Sequence, residues 1–485
     1  MKTRTLFDIK GNDTGIAVNK GLLIALFTAL ALYAVISWID PLAAYGPLAS
    51  KALGFLLASV FFMIFGGVPL AVVAMVIACT GVMTGLFSWK SVSDKLGSSA
   101  FYQALGMMIV AMGCEFTDFG YRFGYTVLKR FGNQPIKLIL AITAVSALLS
   151  TVVSNVAILI IMSSITHSIL VAMGETPGES RIGKAAMLCI VMGSMAGGMG
   201  LFCGSPIGNT AVLSYMTAAL DGADYSPTFM QWAVVAFPTL LICILPMAMV
   251  YVKWFRVRKD ESVRLGRDYY EGKLQELGPM TGAEKRWLIL LFGMILAMSL
   301  GMKTAAAAIL FAALSMFPGI GVSDSRKVFK KIPWNPLIAI CMLPLMSEVI
   351  VNTGLSDWLS EAITPLFSRL GPLGFSMACS LTLALLINLL VNSMQATMAL
   401  VMSVSAPICV ALGYNPTIIL LPAAMASSYM WVIGANQYVM MNKEYGWWEM
   451  KDTLVPGLIS TLIPSIVAPI MACVLGPLFG MPLYL

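Results

Sequence analysis

Apolar residues run along this chain in windows of about twenty, and the polar positions between them fall into short clusters. A helix rising about 1.5 Å per residue needs about twenty apolar residues to cross a hydrocarbon core about 30 Å thick. The pattern therefore predicts membrane spans near 21–39, 50–66, 69–88, 101–116, 185–220, 230–252, 287–302, 304–320, 335–351, 416–441 and 453–480.

Two apolar stretches have the wrong length for this scheme. Between Lys137 and Glu175 lie 37 uncharged residues. As one helix they would extend about 55 Å, and two full crossings need about 40 residues plus a turn. A re-entrant hairpin over about 138–173 fits, entering and leaving on one side, with its tip near Thr151 to Asn155. The second stretch carries no Asp, Glu, Lys or Arg from Leu370 to Asn442. The span at 416–441 takes its latter part, which leaves 371–412 as a second hairpin with its tip near Asn392 to Gln395.

The hairpins are related. EFTDFGYRFGYTVLKRFG (115–132) precedes the first and VNTGLSDWLSEAITPLFSRLG (351–371) the second. Each is amphipathic, opens with a Thr and closes in Phe-Gly or Leu-Gly. Thr117 stands 37 residues before Ser154, and Thr353 stands 40 before Ser393. The expected organisation is a cytoplasmic segment over 1–20 and a first span with the first repeat over 21–252. A cytoplasmic loop over 253–286 and a second repeat over 287–485 follow. Each repeat contains one hairpin and then a broken helix, at about 185–220 in the first and 416–441 in the second.

Charge orients this arrangement. With the N-terminus in the cytoplasm, 25 of the 30 Lys and Arg fall on inside segments and five outside (Lys51, Lys90, Lys95, Lys303, Arg369). That asymmetry fits eleven crossings with the C-terminus outside, and it makes the first hairpin cytoplasmic and the second external. The halves then form an inverted repeat, the plan of secondary transporters with a midplane site. The composition agrees, with 59% hydrophobic and 11% charged residues among 485, against about a quarter charged in soluble domains. The fold class expected is an all-α polytopic protein of the cell (inner or plasma) membrane. The charged start MKTRTLFDIKGNDTG favours a retained anchor over a cleaved signal. The net charge of +7 follows from topology and calls for no nucleic acid. Nine scattered cysteines without a CxxC read as packing residues.

Ser150, Thr151, Ser154 and Asn155 interrupt the apolar run LLSTVVSNVAILIIM (148–162). At a hairpin tip, a helix starting after Asn155 offers free N–H groups and a positive dipole end. The end of the preceding helix offers carbonyls near Ser150 and Ser154, which with hydroxyls suit a small hard cation. The run GSMAGGMGLFCGSPIGNTAVL (193–213) holds six glycines and Pro206 inside an apolar window, so a break near Gly204–Gly208 is expected. SSYMWVIGANQYVMM (427–441), with Gly434, Asn436 and Gln437, is its counterpart.

These motifs resemble the divalent anion/sodium symporter family, which carries dicarboxylates, citrate or sulfate. Ser154-Asn155-Val156 resembles the Ser-Asn-Thr of the family's first tip, and Gly204-Ser205-Pro206 its Gly-Thr-Pro turn. The resemblance covers nearly the whole chain beyond the first span. It implies sodium held by Ser150, Ser154, Asn155 and Gly204, with substrate contacts at Asn155, Val156, Ser205 and Pro206. In the second half it implies substrate contacts at Asn392, Ser393, Gln395, Asn436 and Gln437, and a second sodium at Ser393 and Gly434. There the sequence departs: Ser393-Met394-Gln395 replaces Ser-Asn-Thr, roughly Gln437-Tyr438-Val439 replaces Thr-Pro-Pro, and Met394 cannot coordinate sodium. The resemblance further implies an elevator movement against a dimeric scaffold, a small anionic substrate and no organic cofactor.

Other polar residues read more plainly. Glu115, Asp118 and Glu348 fall at span ends, and His167, the one histidine, is expected to be packed or interfacial. Lys129, Arg130, Lys137 and the 253–286 loop read as solvated or headgroup faces. An intramembrane enzyme would need a nucleophile with a base or a metal-ligand set, and a single histidine without HExxH offers neither. A passive channel fits inverted hairpins less well than alternating access. The reading is a secondary transporter for a small anion, sodium-coupled or an exchanger.

Overall fold

The computed structural model describes residues 20–131, 134–220, 225–258, 266–367, 369–389, 394–426, 428 and 437–485. Helices account for almost all of them, and the only β pairing among the described residues is one bridge between Tyr414 and Tyr484. Within a hydrocarbon layer only intrahelical bonding satisfies every backbone group, so apolar runs of this length fold as helices.

The chain opens with α1 (Lys20–Ile39), α2 (Ala49–Phe65), α3 (Leu70–Met83), the short α4 (Trp89–Leu96), α5 (Ser99–Met112) and the amphipathic α6 (Phe119–Phe131). Then come α7 (Pro135–Ser150), α8 (Asn155–Ala172), α9 (Arg181–Gly200), α10 (Pro206–Ala219) and α11 (Phe229–Trp254). After α12 (Arg267–Glu276) follow α13 (Gly282–Ser299), α14 (Thr304–Met316), α15 (Ser325–Lys331), α16 (Trp334–Met342), α17 (Leu345–Asn352) and α18 (Leu355–Phe367). The last are α19 (Gly371–Leu389), α20 (Met394–Ala411), α21 (Pro416–Ile419), α22 (Leu421–Ala426), α23 (Gln437–Lys443) and α24 (Leu454–Leu478).

Packing relates the halves by an approximate two-fold exchange. The long α11 and α24 pack against each other. α5 packs on α14 while α16 packs on α3, and α10 packs on α20 while α23 packs on α8. The amphipathic α6 and α18 are each held by the loop that leads into the other half. α12 packs on α6, and the turn at Ala43–Tyr45 packs on α18, where the Tyr45 hydroxyl donates to Glu361 Oε2 at 2.6 Å. Thr117 and Thr353, which open these segments, each donate back to the carbonyl four residues earlier.

The carboxylates at the span ends serve this exchange. Glu115 pairs with Lys331 of α15 at 3.0 Å, and Glu348 pairs with Lys95 of α4 at 3.6 Å. His167 on α8 accepts from the buried Trp447 indole at 2.9 Å and is packed beside Tyr445. Asn442 bridges Ser163 of α8 and Trp448 nearby, at 2.6 and 2.8 Å.

Three features differ from the apolar windows. α9 stops at Gly200 and α10 starts at Pro206, so the break is at 201–205, slightly earlier than expected, and Gly208 is helical. The window at 335–351 contains two helices, because Pro344 at the junction has no N–H to donate. The short polar helices α4, α12 and α15 lie between windows. Along 416–441 the chain forms α21, α22 and the start of α23, and residues 427 and 429–436 lie outside the described ones.

Arg122 anchors α6 to the following half. It reaches Glu284 Oε1 at 3.3 Å, Gly278 O at 2.6 Å, and the carbonyls of Leu277 and Pro279 at 3.3 Å. Glu284 is fully buried and also closes the capping box with Thr281 that starts α13. Arg122→Ala would strand that carboxylate and is expected to cost about 3 kcal/mol. Lys129→Ala, which breaks the exposed pair with Glu271, should cost less than about 1 kcal/mol. Denaturant unfolding of the solubilised protein measures both, and equal losses would remove burial as the cause.

Candidate functional site

α7 and α8 form the first hairpin, and its tip is buried. Ser150, the last residue of α7, and Val153 are fully enclosed, and Thr151 is nearly so. Ser154 stands at the N-cap of α8, but its hydroxyl makes no cap bond. The first intrahelical bond of α8 runs from Ile158 N to Ser154 O. The N–H groups of Asn155, Val156 and Ala157 therefore have no carbonyl partner within the helix and point at the tip.

The oxygen atoms at the tip are short of protons. Ser150 Oγ lies 2.6 Å from Ser194 O and 2.8 Å from Asn155 Oδ1. A hydroxyl has one proton. When Ser194 O takes it, the Ser150 and Asn155 oxygens face each other with unshared lone pairs, an arrangement that a small cation relieves.

The broken helix closes on this tip through glycines. α9 packs on α7 so tightly that a Cβ on Gly193 would stand 2.8 Å from Thr143 O, and one on Gly197 would run into Ala147 O. A Cβ on Gly198 would meet both polar atoms of the Asn155 amide at 2.8 Å and Ser205 Cβ at 3.1 Å. On Gly204, in the break itself, it would stand 2.6 Å from Ser150 O and 2.9 Å from Thr151 O. Any larger residue would displace backbone carbonyls at Gly193, Gly197 and Gly204, and the Asn155 amide at Gly198.

α10 repeats the logic of α8. Pro206 occupies its first turn and needs no acceptor, while Ser205 at the N-cap makes no side-chain cap bond. The first bond returning to the cap is from Asn209 N to Ser205 O at 2.9 Å. Two uncapped helix N-termini, α8 and α10, thus meet within a few ångströms of Gly198. The C-terminal carbonyls of α7 lie beside them. N–H groups of the kind that suit an anion and oxygens of the kind that suit a cation share one place without a charged side chain in the set.

Of the residues expected from sequence, Ser150, Asn155, Gly204 and Ser205 come together here. Pro206 is buried in the first turn of α10, and Ser154 and Val156 are half-exposed at the start of α8. In the second half, Asn392, Ser393, Gly434 and Asn436 lie outside the described residues, as do the side chains of Gln395 and Gln437. The backbone there begins α20 at Met394, as α8 begins at Asn155. Ser194, Gly198 and Asn209 were not among the expected site residues. The first two contribute carbonyl or clearance, which leaves no residue-type signal; Asn209 is a polar residue in an apolar span and was legible.

A separate cavity of about 410 Å³ lies beside α8, lined by Leu159, Ile160, Ser163, Met441, Glu444 and Tyr445. Its carboxylate and aliphatic walls suit an anion less well than the tip does.

Comparison with known proteins gives the site a context. Residues 60–404 match the profile of a family described as citrate transporter (CitMHS). The sodium-dependent dicarboxylate transporter SdcS of Staphylococcus saprophyticus is 24% identical over 376 residues, 71% of this chain and 70% of that protein. The protein of the same name from Staphylococcus aureus strain USA300 matches with the same identity and coverage. Among solved structures, MtrF of Neisseria gonorrhoeae superposes with a TM-score of 0.57 at 13% identity, covering 84% of this chain and 86% of that one. The YdaH transporter of Alcanivorax borkumensis gives 0.51 at 13% identity, covering 96% and 99%. Both structural likenesses concern the fold.

The close approach at the break makes a sharp contrast between two glycines. Gly204→Ala should cost about 1–3 kcal/mol, because its Cβ meets backbone oxygens that side-chain motion cannot move away. Gly272→Ala, mid-way along α12 with nothing within 4 Å, should stabilise by about 0.5–1 kcal/mol. Unfolding of both variants checks this, and a neutral Gly204→Ala would contradict the packing described.

Proposed function

The chain belongs to the citrate transporter family of the ion transporter superfamily, and from that premise we propose that it is a sodium-coupled symporter of a small di- or tricarboxylate. That it transports a carboxylate is the coarser statement, supported by the family and by the relatives named for dicarboxylate transport. The observation that carries the finer one is the meeting of two uncapped helix N-termini with the oxygen-rich end of α7 at Ser150, Asn155, Gly198, Gly204 and Ser205.

The N–H groups at the starts of α8 and α10, with the Asn155 amide and the Ser205 hydroxyl, hold one carboxylate of the substrate. Val156 and Pro206 line the same shell. Ser150, Asn155 Oδ1, Ser154 and the Gly204 turn hold the sodium. Coupling follows from shared atoms: an ion between Ser150 and Asn155 fixes the amide that the anion then uses, so each ligand strengthens the other. In the second half Asn392, Ser393, Gln395, Asn436 and Gln437 complete the substrate shell, and Ser393 with Gly434 lines a second cation position. α20 starting at Met394 supports that register. The hairpins and broken helices move as an elevator against a scaffold of α1–α5 and α13–α17, which forms a homodimer. The excess of Lys and Arg on inside segments supports a cytoplasmic N-terminus and an external C-terminus in the cell membrane. The same division into a leading segment, two repeats and a central loop over 253–286 organises the movement.

Purified protein in liposomes should take up labelled citrate or succinate faster with an inward sodium gradient than in choline. Asn155→Ala should reduce that uptake at least tenfold, and intact uptake in this variant would dismiss the site. Equal uptake in choline, accelerated by internal anion, would replace symport with exchange.

A further inference from the structure

The break between α9 and α10 leaves helix-terminal carbonyls in the protein interior, and their partners can be named. Met199 O accepts from the Trp232 indole at 2.9 Å, and Leu201 O accepts from Gly204 N at 3.0 Å. One side chain serves the rest: Asn209 Nδ2 lies 3.1 Å from Gly198 O, 3.1 Å from Phe202 O and 3.4 Å from Leu201 O. The residue is fully buried, and its Oδ1 has no hydrogen-bond partner.

Each half of this arrangement is incomplete as hydrogen bonding. Two amide hydrogens face three carbonyls, while the amide oxygen faces no donor. A buried acceptor without a donor is costly, and one rotation would change what the oxygen meets. With the amide turned end for end, Oδ1 would join the three carbonyls, and four oxygens would converge. That is repulsive when empty and favourable around a small hard cation, which takes oxygen ligands. The partly positive Nδ2 now gives those carbonyls the positive charge that such a cation would otherwise supply.

We propose that the carbonyls of Gly198, Leu201 and Phe202, with Asn209 Oδ1, form a further cation position in the first repeat. The Asn209 amide nitrogen plugs it when empty, and the amide reverses when a sodium-sized ion enters. The inference rests on the sodium-coupled reading above but concerns a different set of atoms. Gly198 separates the two positions: its α-carbon side faces Asn155 and Ser205, and its carbonyl faces Asn209. Filling one position therefore fixes the same turn that the other uses.

The test is a sodium titration of the thermal unfolding temperature of the solubilised full chain, with choline holding ionic strength constant. Wild type should be stabilised by sodium. Asn209→Ala should raise the half-saturating sodium concentration at least tenfold. Asn209→Asp should lower that concentration and unfold more readily without sodium, because a carboxylate cannot plug three carbonyls. If both variants unfold at lower temperature yet keep the wild-type half-saturating concentration, Asn209 only caps α9 and the proposal falls. Should Asn209→Ala not fold, the direction of the shift in Asn209→Asp decides alone. A wild type indifferent to sodium would overturn the coupling reading and this proposal together, and that outcome is visible before any variant is measured.

Discussion

Backbone polar groups inside a membrane have no water to turn to, and this structure is arranged around four helix ends placed there. α7 and α9 stop, and α8 and α10 start, within the interior. Every N–H and C=O freed by those ends needs a partner from the protein or from a ligand. Some are repaid internally, by Trp232 on Met199 O and Asn209 on three carbonyls. The N–H groups opening α8 and α10 lack intrahelical partners, and they lie where Ser194 O and Asn155 Oδ1 compete for the one proton of Ser150. A place short of hydrogen-bond partners for both signs of charge is what the proposed carboxylate and its cation would complete.

Bringing four ends together requires close approach of backbone to backbone and to buried side chains, and that explains the glycines. Gly193, Gly197, Gly198, Gly200 and Gly204 all face atoms that a Cβ would strike: Thr143 O, Ala147 O, the Asn155 amide, Thr151 and Ser150 O. These residues supply absence of bulk. Helix propensity argues against so many glycines in α9, so the close approach outweighs the loss. The same economy sets Pro206 in the first turn of α10, where a missing N–H costs nothing.

What could be read from the residues divides along a physical line. Length and charge fix how often a chain can cross a membrane, so the first hairpin and its tip were legible: 37 uncharged residues are too many for one crossing and too few for two. Polar residues in an apolar run marked Ser150 and Asn155 for the same energetic reason. Apolar windows are blind to short polar helices, and α4, α12 and α15 fell between them. They are also blind to backbone continuity, so Pro344 was absorbed into one span although it separates α16 from α17. The carbonyls of Ser194, Gly198 and Phe202 belong to the main chain, which every residue type carries, and only the folded packing selects them.

The two halves share a packing plan but not a chemistry. Reciprocal contacts, α5 on α14 with α3 on α16 and α10 on α20 with α8 on α23, make each half the wall of the other's core. Glu115 with Lys331 and Glu348 with Lys95 tie the same junctions from opposite halves. A symmetric frame does not oblige symmetric ligands, because contacts constrain shape while ion binding depends on which oxygens are present. The first half places Ser and Asn at its tip and Asn209 beneath its break; at the register of Asn155 the second half carries Met394. A thioether offers a soft, weak acceptor in place of a hard oxygen. The difference between the two tips therefore lies in the donor atoms their residues carry and not in the frame that holds them.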